Sequence, residues 1–371
     1  MGSKAAVVGA GVLGRLLALQ LCRRGWEVTL YDRSHWDSRT ACSYAAAGLL
    51  TPAVEAVHNT EPSLFSLGML SADLWQDLIR CFELNTNAVT RGTLHVAHRQ
   101  DRALLDELLQ KITRRYADAE PRLLDYPQLC DFEPSFRGTE FRQALLLPHD
   151  GFILNHDVLK GLRRAIELSN IDCRMPLEIT QLKADRIYVG QEASETYDKV
   201  FDCRGFQAKD ELPGLRGVRG ELLEVAAPEV DLRHAVHLIH GRYPIYIVPR
   251  GKGRYAIGAT QIESESLAPM SVKSAMELLS TAYSTHPGFR YAHIENLVAN
   301  CRPALSDNLP RLLIDDGVWR LNGLFRYGFL MAPLLVAVTL KRLNDDPLTD
   351  VENRLVSQMP AHDQVRGVTC N

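Results

Sequence analysis

At 371 residues, with 46% hydrophobic and 23% charged residues, the chain is long enough for two globular domains and has an ordinary globular composition. A net charge of −3 argues against a nucleic-acid partner or a polybasic membrane surface. The eight cysteines, at 22, 42, 81, 130, 173, 203, 301 and 370, form no C-x-x-C pair and no zinc-finger spacing with histidine, so free thiols and no metal site are expected.

The first apolar run, Ala5 to Val8, reads as a strand and leaves no room ahead of it for a signal peptide. The longest uncharged apolar stretch, Tyr327 to Leu340, has 14 residues and contains Pro333, too short to span a bilayer. A cytoplasmic protein without a membrane span is expected.

Gly9-Ala10-Gly11-Val12-Leu13-Gly14 follows the first strand and is G-x-G-x-x-G. Arg15 to Arg24 then has helical spacing, Val28 to Tyr31 is a second strand, and Asp32 ends it, 18 residues past Gly14. The three glycines act differently. Gly9 permits the tight turn, Gly11 lets backbone approach a pyrophosphate, and Gly14 lets helix pack on strand. The helix N-terminus offers free N–H groups to the phosphates, and the acid suits a ribose hydroxyl. A dinucleotide site is predicted.

Ala45-Ala46-Ala47-Gly48 is a row of small residues that lets backbone approach a flat ligand or, alternatively, starts a plain helix. Residues 62–82 are helical by period, 92–98 a strand and 102–116 an amphipathic helix. A strand at 144–147 is broken by Pro148-His149-Asp150-Gly151, and a helix at 157–168 is capped by Asn155 or His156. Strands are predicted near 175–182, 185–189 and 197–203, then in a β-rich stretch at 220–225, 235–239, 245–248 and 255–260. A helix at 271–284, strands at 294–300 and 319–322, and a helix at 328–342 complete the chain. Helix–strand alternation at both ends, interrupted by β-rich segments, predicts an α/β protein with a discontinuous dinucleotide domain and a substrate domain inserted in pieces.

Six blocks carry a resemblance: Gly9 to Asp32, Ser43 to Leu49, Arg219-Gly220-Glu221, Tyr246 to Arg250 with Ile257 to Thr260, Arg302-Pro303, and Gly323 to Pro333. In this order they resemble the flavin-dependent amine and amino-acid oxidases of the D-amino-acid oxidase superfamily, and within it bacterial glycine oxidases of the thiamine-biosynthesis type. The resemblance implies a FAD-binding, Rossmann-like domain of the glutathione-reductase type with an inserted, mainly antiparallel β-sheet substrate domain. It places residues 1–80, 145–215 and 302–371 in the first and 81–144 and 216–301 in the second.

The resemblance also implies roles. FAD is held by Gly9, Gly11, Val12, Leu13 and Gly14, with Asp32 and Arg33 at the ribose and Leu177 at the adenine. Cys42, Ser43, Ala47, Gly48 and Leu49 line the path from pyrophosphate to flavin, with Gly205 near it. Gly323, Phe325, Arg326, Tyr327, Gly328, Phe329 and Leu330 wrap the flavin ring. Arg302 takes the substrate carboxylate as a bidentate fork, Tyr246 adds a hydroxyl, and Arg326 stands beside flavin and substrate. The alternatives, each less favoured, are a surface ion pair for Arg302 and a core position for Tyr246. Arg326, between two aromatics, needs a partner for its charge. Leu324 stands where the family commonly has a histidine, and Arg204 where it has a small residue.

The implied reaction passes the α-hydrogen of glycine, sarcosine or a small D-amino acid to flavin N5 as hydride. Imine hydrolysis to a 2-oxo acid and reoxidation by O2 to H2O2 follow. A dehydrogenase passing electrons to a quinone or protein, a flavoenzyme acting on a protein-bound or tRNA-bound amine, and a catalytically silent FAD-binding partner are the competing readings. Homo-oligomerisation is possible on any of them.

Overall fold

The computed structural model describes residues 2–84, 89–241 and 244–358. Among these, two large sheets dominate. The first has seven strands in the order Val356–Gln358, Arg311–Asp315, Val318–Asn322, Lys199–Asp202, Lys4–Val8, Glu27–Tyr31, Asp172–Arg174. Its central pairs are parallel, with Lys4–Val8 between Glu27–Tyr31 and Lys199–Asp202. Buried on both faces, such strands read as continuous apolar runs, as Ala5 to Val8 does.

The second sheet has nine strands. Its path runs His293–Ala304, Arg216–Ala226, Arg254–Gly258, Ile245–Gly251, Ala235–Ile239, Thr90–Ala97, Gln143–Phe152, Leu49–Leu50, and Arg122–Asp125 pairs with Gln143–Phe152. The pairs are antiparallel except Ala235–Ile239 with Thr90–Ala97. Mixed α/β architecture with a mainly antiparallel second sheet is thus the fold the sequence predicts.

Several local expectations change. Pro148-His149-Asp150-Gly151 does not end its strand: Gln143–Phe152 runs through it as a bulge. Residues 145–152, and the strand end at 302–304, therefore lie in the antiparallel sheet. Asn155 and His156 do not cap the following helix, which spans Asn155–Glu167 with Leu154 at its N-cap position and no side-chain cap bond. Asn155 instead ties down a loop, donating from Nδ2 to the carbonyls of Ser43 at 2.9 Å and Ala46 at 2.8 Å. The strand near 175–182 is shifted: strands occupy Asp172–Arg174 and Gln181–Lys183.

The helix Val12–Arg23 packs on the first sheet as its spacing predicts. The helix Gly328–Leu343 tolerates Pro333 in its interior for an identifiable reason. Proline lacks the N–H that would bond the Phe329 carbonyl. The buried Trp75 indole, on the helix Leu64–Cys81, donates to that carbonyl at 2.7 Å. Ser71 Oγ similarly accepts the Leu334 N–H at 3.1 Å. The predicted 62–82 helix thereby supports the start of the last long helix. No helix among the described residues is long and apolar enough to cross a membrane.

Candidate active site

A cavity of about 1170 Å³ is lined from both sheets. Its first part is built on the glycine turn. Gly9 has φ +107°, and a Cβ there would stand 2.5 Å from the Cys203 carbonyl oxygen. At Gly14 a Cβ would overlap the Gly9 carbonyl. Gly11 is different: the nearest atom to its Cβ position is Ser43 Oγ at 3.8 Å, so this glycine faces open space. Ser43 Oγ is buried and has no hydrogen-bond partner. An orphaned hydroxyl across a gap from a glycine turn and a helix N-terminus fits a pyrophosphate.

Asp32 lies at the same end. Its carboxylate accepts the Ala10 N–H at 2.7 Å and the Ser34 N–H at 2.8 Å, one on each oxygen. Each oxygen can still accept a further bond from a ribose hydroxyl. The Leu177 N–H donates to the Asp32 carbonyl at 2.7 Å, which leaves the Leu177 carbonyl for any adenine contact. Arg33 points to Gln207, at 2.8 Å. Burial pushes the Cys42 thiol up to about 11, so it stays protonated and is a poor nucleophile toward a ring.

Of the predicted cofactor residues, Gly9, Gly11, Val12, Leu13, Asp32, Arg33, Cys42, Ser43, Ala47, Gly48, Leu49, Leu177, Gly205, Phe325, Arg326, Tyr327, Gly328 and Phe329 line the cavity. Gly14, Gly323 and Leu330 do not. Gly14 packs behind the turn, Gly323 turns the chain at φ +76° against Leu305, and Leu330 is buried toward Gly68 on the helix Leu64–Cys81. Gly328 opens the last long helix, and a Cβ there would meet no atom within 4 Å, so this helix N-terminus faces free space.

The second part of the cavity is a row of side chains across the antiparallel sheet. Register places His95 opposite His237, His237 opposite Tyr246, and Tyr246 opposite Gly258. Residues directly opposite share a face. The His95 and His237 rings stack at 4.5 Å, and the Tyr246 ring meets His237 edge-on at 6.1 Å. Gly258 leaves room for the tyrosine: a Cβ there would stand 3.1 Å from the Tyr246 hydroxyl.

Arg302 lies farther along the sheet. It is directly opposite Val218, and its guanidinium crosses the diagonal neighbour, Gly220. A Cβ at Gly220 would stand 2.3 Å from Cζ, so the guanidinium lies flat on a bare backbone. Arg302 donates to the Thr260 carbonyl at 3.1 Å, and among the described residues no carboxylate pairs with it. Arg326 differs. It donates to Glu55 Oε1 at 3.2 Å and to Gln261 Oε1 at 3.4 Å. Arg204 also has partners, Asp202 at 2.9 Å and Glu211 at 2.7 Å, in a buried network with Arg320.

Electrostatics sets the protonation of this wall. Burial, then the charges of Arg326 and His58, push the His237 imidazole down to about 3. Burial, with His237 and His58 adding to it, holds His95 well below its ordinary value, and burial lowers His58 against the pull of Glu55. Burial raises the Tyr246 hydroxyl despite three nearby guanidiniums. The wall therefore presents neutral imidazoles, a neutral hydroxyl, one carboxylate and two guanidiniums. Glu55, His58, His95 and His237 were not singled out from sequence. Histidines in the β-rich half were visible, but the register that stacks two of them was not.

Residues 4–340 match the family model described as FAD dependent oxidoreductase. The chain belongs to that family. FAD is its cofactor. A protein named "Putative thiamine biosynthesis oxidoreductase ThiO" from Rhizobium etli is 39% identical over 337 residues, covering 91% of this chain and 95% of its own. A glycine oxidase of Geobacillus kaustophilus is 26% identical over 358 residues, covering 91% and 92%. The crystal structure of glycine oxidase from Bacillus cereus superposes with a TM-score of 0.79 at 20% identity, covering 96% and 99%. The chain is thus similar to relatives of the glycine oxidase and ThiO type, and the fold is theirs.

Proposed function

We propose that the protein oxidises a small amino acid or secondary amine, such as glycine, sarcosine or a small D-amino acid, with O2 as electron acceptor. The observation that carries this reading is Arg302: a guanidinium inside the cavity, laid on Gly220, with a backbone carbonyl as its bonded partner and, among the described residues, no carboxylate. Half-buried in the cavity wall and without a counter-charge among the described residues, the guanidinium is free to pair with an anionic ligand. The planar fork matches a substrate carboxylate bidentately. Arg326 already has Glu55 and is not the carboxylate anchor.

Tyr246, neutral and at the same wall, donates its hydroxyl to the carboxylate or orients it. The neutral His95–His237 pair adds no positive charge opposite the amine. FAD, when bound, supplies the acceptor for the hydrogen and electron pair lost from the carbon next to the amine. The protein's own contribution is orientation, since holding reacting atoms about 3–3.5 Å apart removes much of the barrier. Gly9, Gly11 and Ser43 hold the pyrophosphate and Asp32 the ribose. The relatives named glycine oxidase support a small substrate.

Oxygen uptake and peroxide formation should be measured on glycine, sarcosine, D-alanine and matched amines lacking the carboxylate. Uptake with the acids and little with the amines is expected. Equal rates on both would overturn the carboxylate reading. Reduction of a quinone-like dye without oxygen uptake would replace the oxidase by a dehydrogenase.

A further inference from the structure

The bulge that interrupts Gln143–Phe152 has a consequence for the cavity. Thr93 pairs with Leu147 and Arg91 with Gly151, so the bulged strand carries two extra residues between these pairs. Bulges re-aim side chains, often next to active sites. Here the bulge turns Asp150 toward the short helix Pro52–Val57. Asp150 is 0% exposed. Its Oδ1 accepts the Ala53 N–H at 2.9 Å and its Oδ2 the Val54 N–H at 3.3 Å. These are first-turn donors with no partner within the helix. Thr51, the residue at the N-cap position, makes no side-chain cap bond. A carboxylate 96 residues away thus supplies the missing cap. The next residue along the helix is Glu55, the partner of Arg326, and His58 ends it; all three line the cavity.

We propose that Asp150 is a positioning residue: by fastening the N-terminus of the helix Pro52–Val57 it holds Glu55 against Arg326, which leaves Arg302 to receive the substrate carboxylate. The last clause rests on the function proposed above; the positioning of Glu55 does not. A helix of six residues cannot hold its own first turn in water, so its placement depends on such an anchor. Burial pushes the Asp150 carboxyl up to about 7; the two N–H groups pull it down, and Glu55 is the charged group that pushes it further up. Above that pH the ionised carboxylate grips both donors with stronger, charge-assisted bonds.

The test uses FAD-loaded wild type, Asp150→Asn, Asp150→Ala, Glu55→Gln and the double variant Asp150→Asn/Glu55→Gln. Hydrogen exchange of the peptide covering 52–58 should quicken about five- to tenfold in Asp150→Ala, the cost of a lost cap, and less in Asp150→Asn, which keeps one acceptor. The KM for glycine should rise more than kcat falls. The arm near pH 7 in kcat/KM should be present in wild type and absent in Asp150→Asn. In the Glu55→Gln background, Asp150→Asn should have under about a third of its single effect, because both act through one ion pair. Unchanged exchange in Asp150→Ala would overturn the proposal, as would equal effects of Asp150→Asn in the two backgrounds. If wild type oxidises no amino acid, the function reading falls, and the exchange result alone upholds or overturns the positioning of the helix.

Discussion

Gly220→Ala displaces Arg302 without touching its charge. Gly220 lies in an extended strand, outside the left-handed region, so alanine strains no backbone there. Its methyl, however, would stand 2.3 Å from Arg302 Cζ and Nη2 and 2.6 Å from Nη1. Carbon atoms at contact sit about 3.5–4.0 Å apart, so the guanidinium must retreat by roughly 1–1.5 Å. The side chain is long and can do so, which keeps the fold intact while moving the fork. A misplacement of about 1 Å costs on the order of 100-fold in rate. Steady-state kinetics on glycine or the best acid substrate should show a fall of about that size in kcat/KM. FAD content, read from the visible spectrum, should match wild type. A Gly220→Ala protein with wild-type kcat/KM would refute the reasoning that Arg302 acts from its seat on Gly220.

Arg302→Ala should lose about 2–5 kcal/mol of carboxylate binding, or roughly 30-fold to several thousand-fold, with Arg302→Lys between it and wild type; kcat/KM on acids against amines lacking the carboxylate checks this. A Cβ at Gly11 would meet no protein atom closer than Ser43 Oγ at 3.8 Å, so Gly11→Val, its methyls filling the gap between them, should fold yet purify without flavin, as absorbance at the flavin band would reveal. Trp75→Phe leaves the Phe329 carbonyl unpaired beside Pro333 and should cost about 1–3 kcal/mol in denaturant unfolding of the holoenzyme. For Asp150, the folded value of about 7 lies above the ordinary 3.8, so its contribution to stability is full below about pH 4 and is lost as pH rises through 7. Asp150→Asn has lost one of the two cap acceptors but does not titrate, so its stability deficit relative to wild type should be largest at about pH 4 and should shrink or reverse as pH rises to about 8, when unfolding is followed across that range.

What was legible in the sequence is what is encoded locally. The strand, glycine turn, helix, strand and acid from Lys4 to Asp32 form one contiguous βαβ unit, and period and glycine spacing suffice to read it. The helix at 328–342 was legible for the same reason, although the tryptophan that lets it carry Pro333 comes from 254 residues away. The bulge at Pro148 to Gly151 reads as a turn because its residues favour turns, and pairing with Thr90–Ala97 on one side and Leu49–Leu50 on the other keeps the strand in the sheet. Glu55 could not be matched to Arg326 from sequence, since 271 residues separate them. Nor could the His95–His237–Tyr246–Gly258 row, because it follows from the register of four strands rather than from any motif. The strand Arg311–Asp315 was missed as well; it pairs antiparallel with Val318–Asn322 across a two-residue turn at Asp316 and Gly317.

The central claim is that a small amino acid, held through its carboxylate by Arg302, gives up electrons in this cavity. Anaerobic titration of the FAD-loaded protein with glycine, sarcosine and D-alanine, followed by flavin absorbance, tests it most directly. Wild type should bleach with at least one of them, and Arg302→Ala, carrying the same flavin, should need at least about 30-fold more acid to reach half bleaching. A wild-type flavin left oxidised by every acid in saturating amounts, or an Arg302→Ala protein that bleaches at the same concentrations, would contradict it.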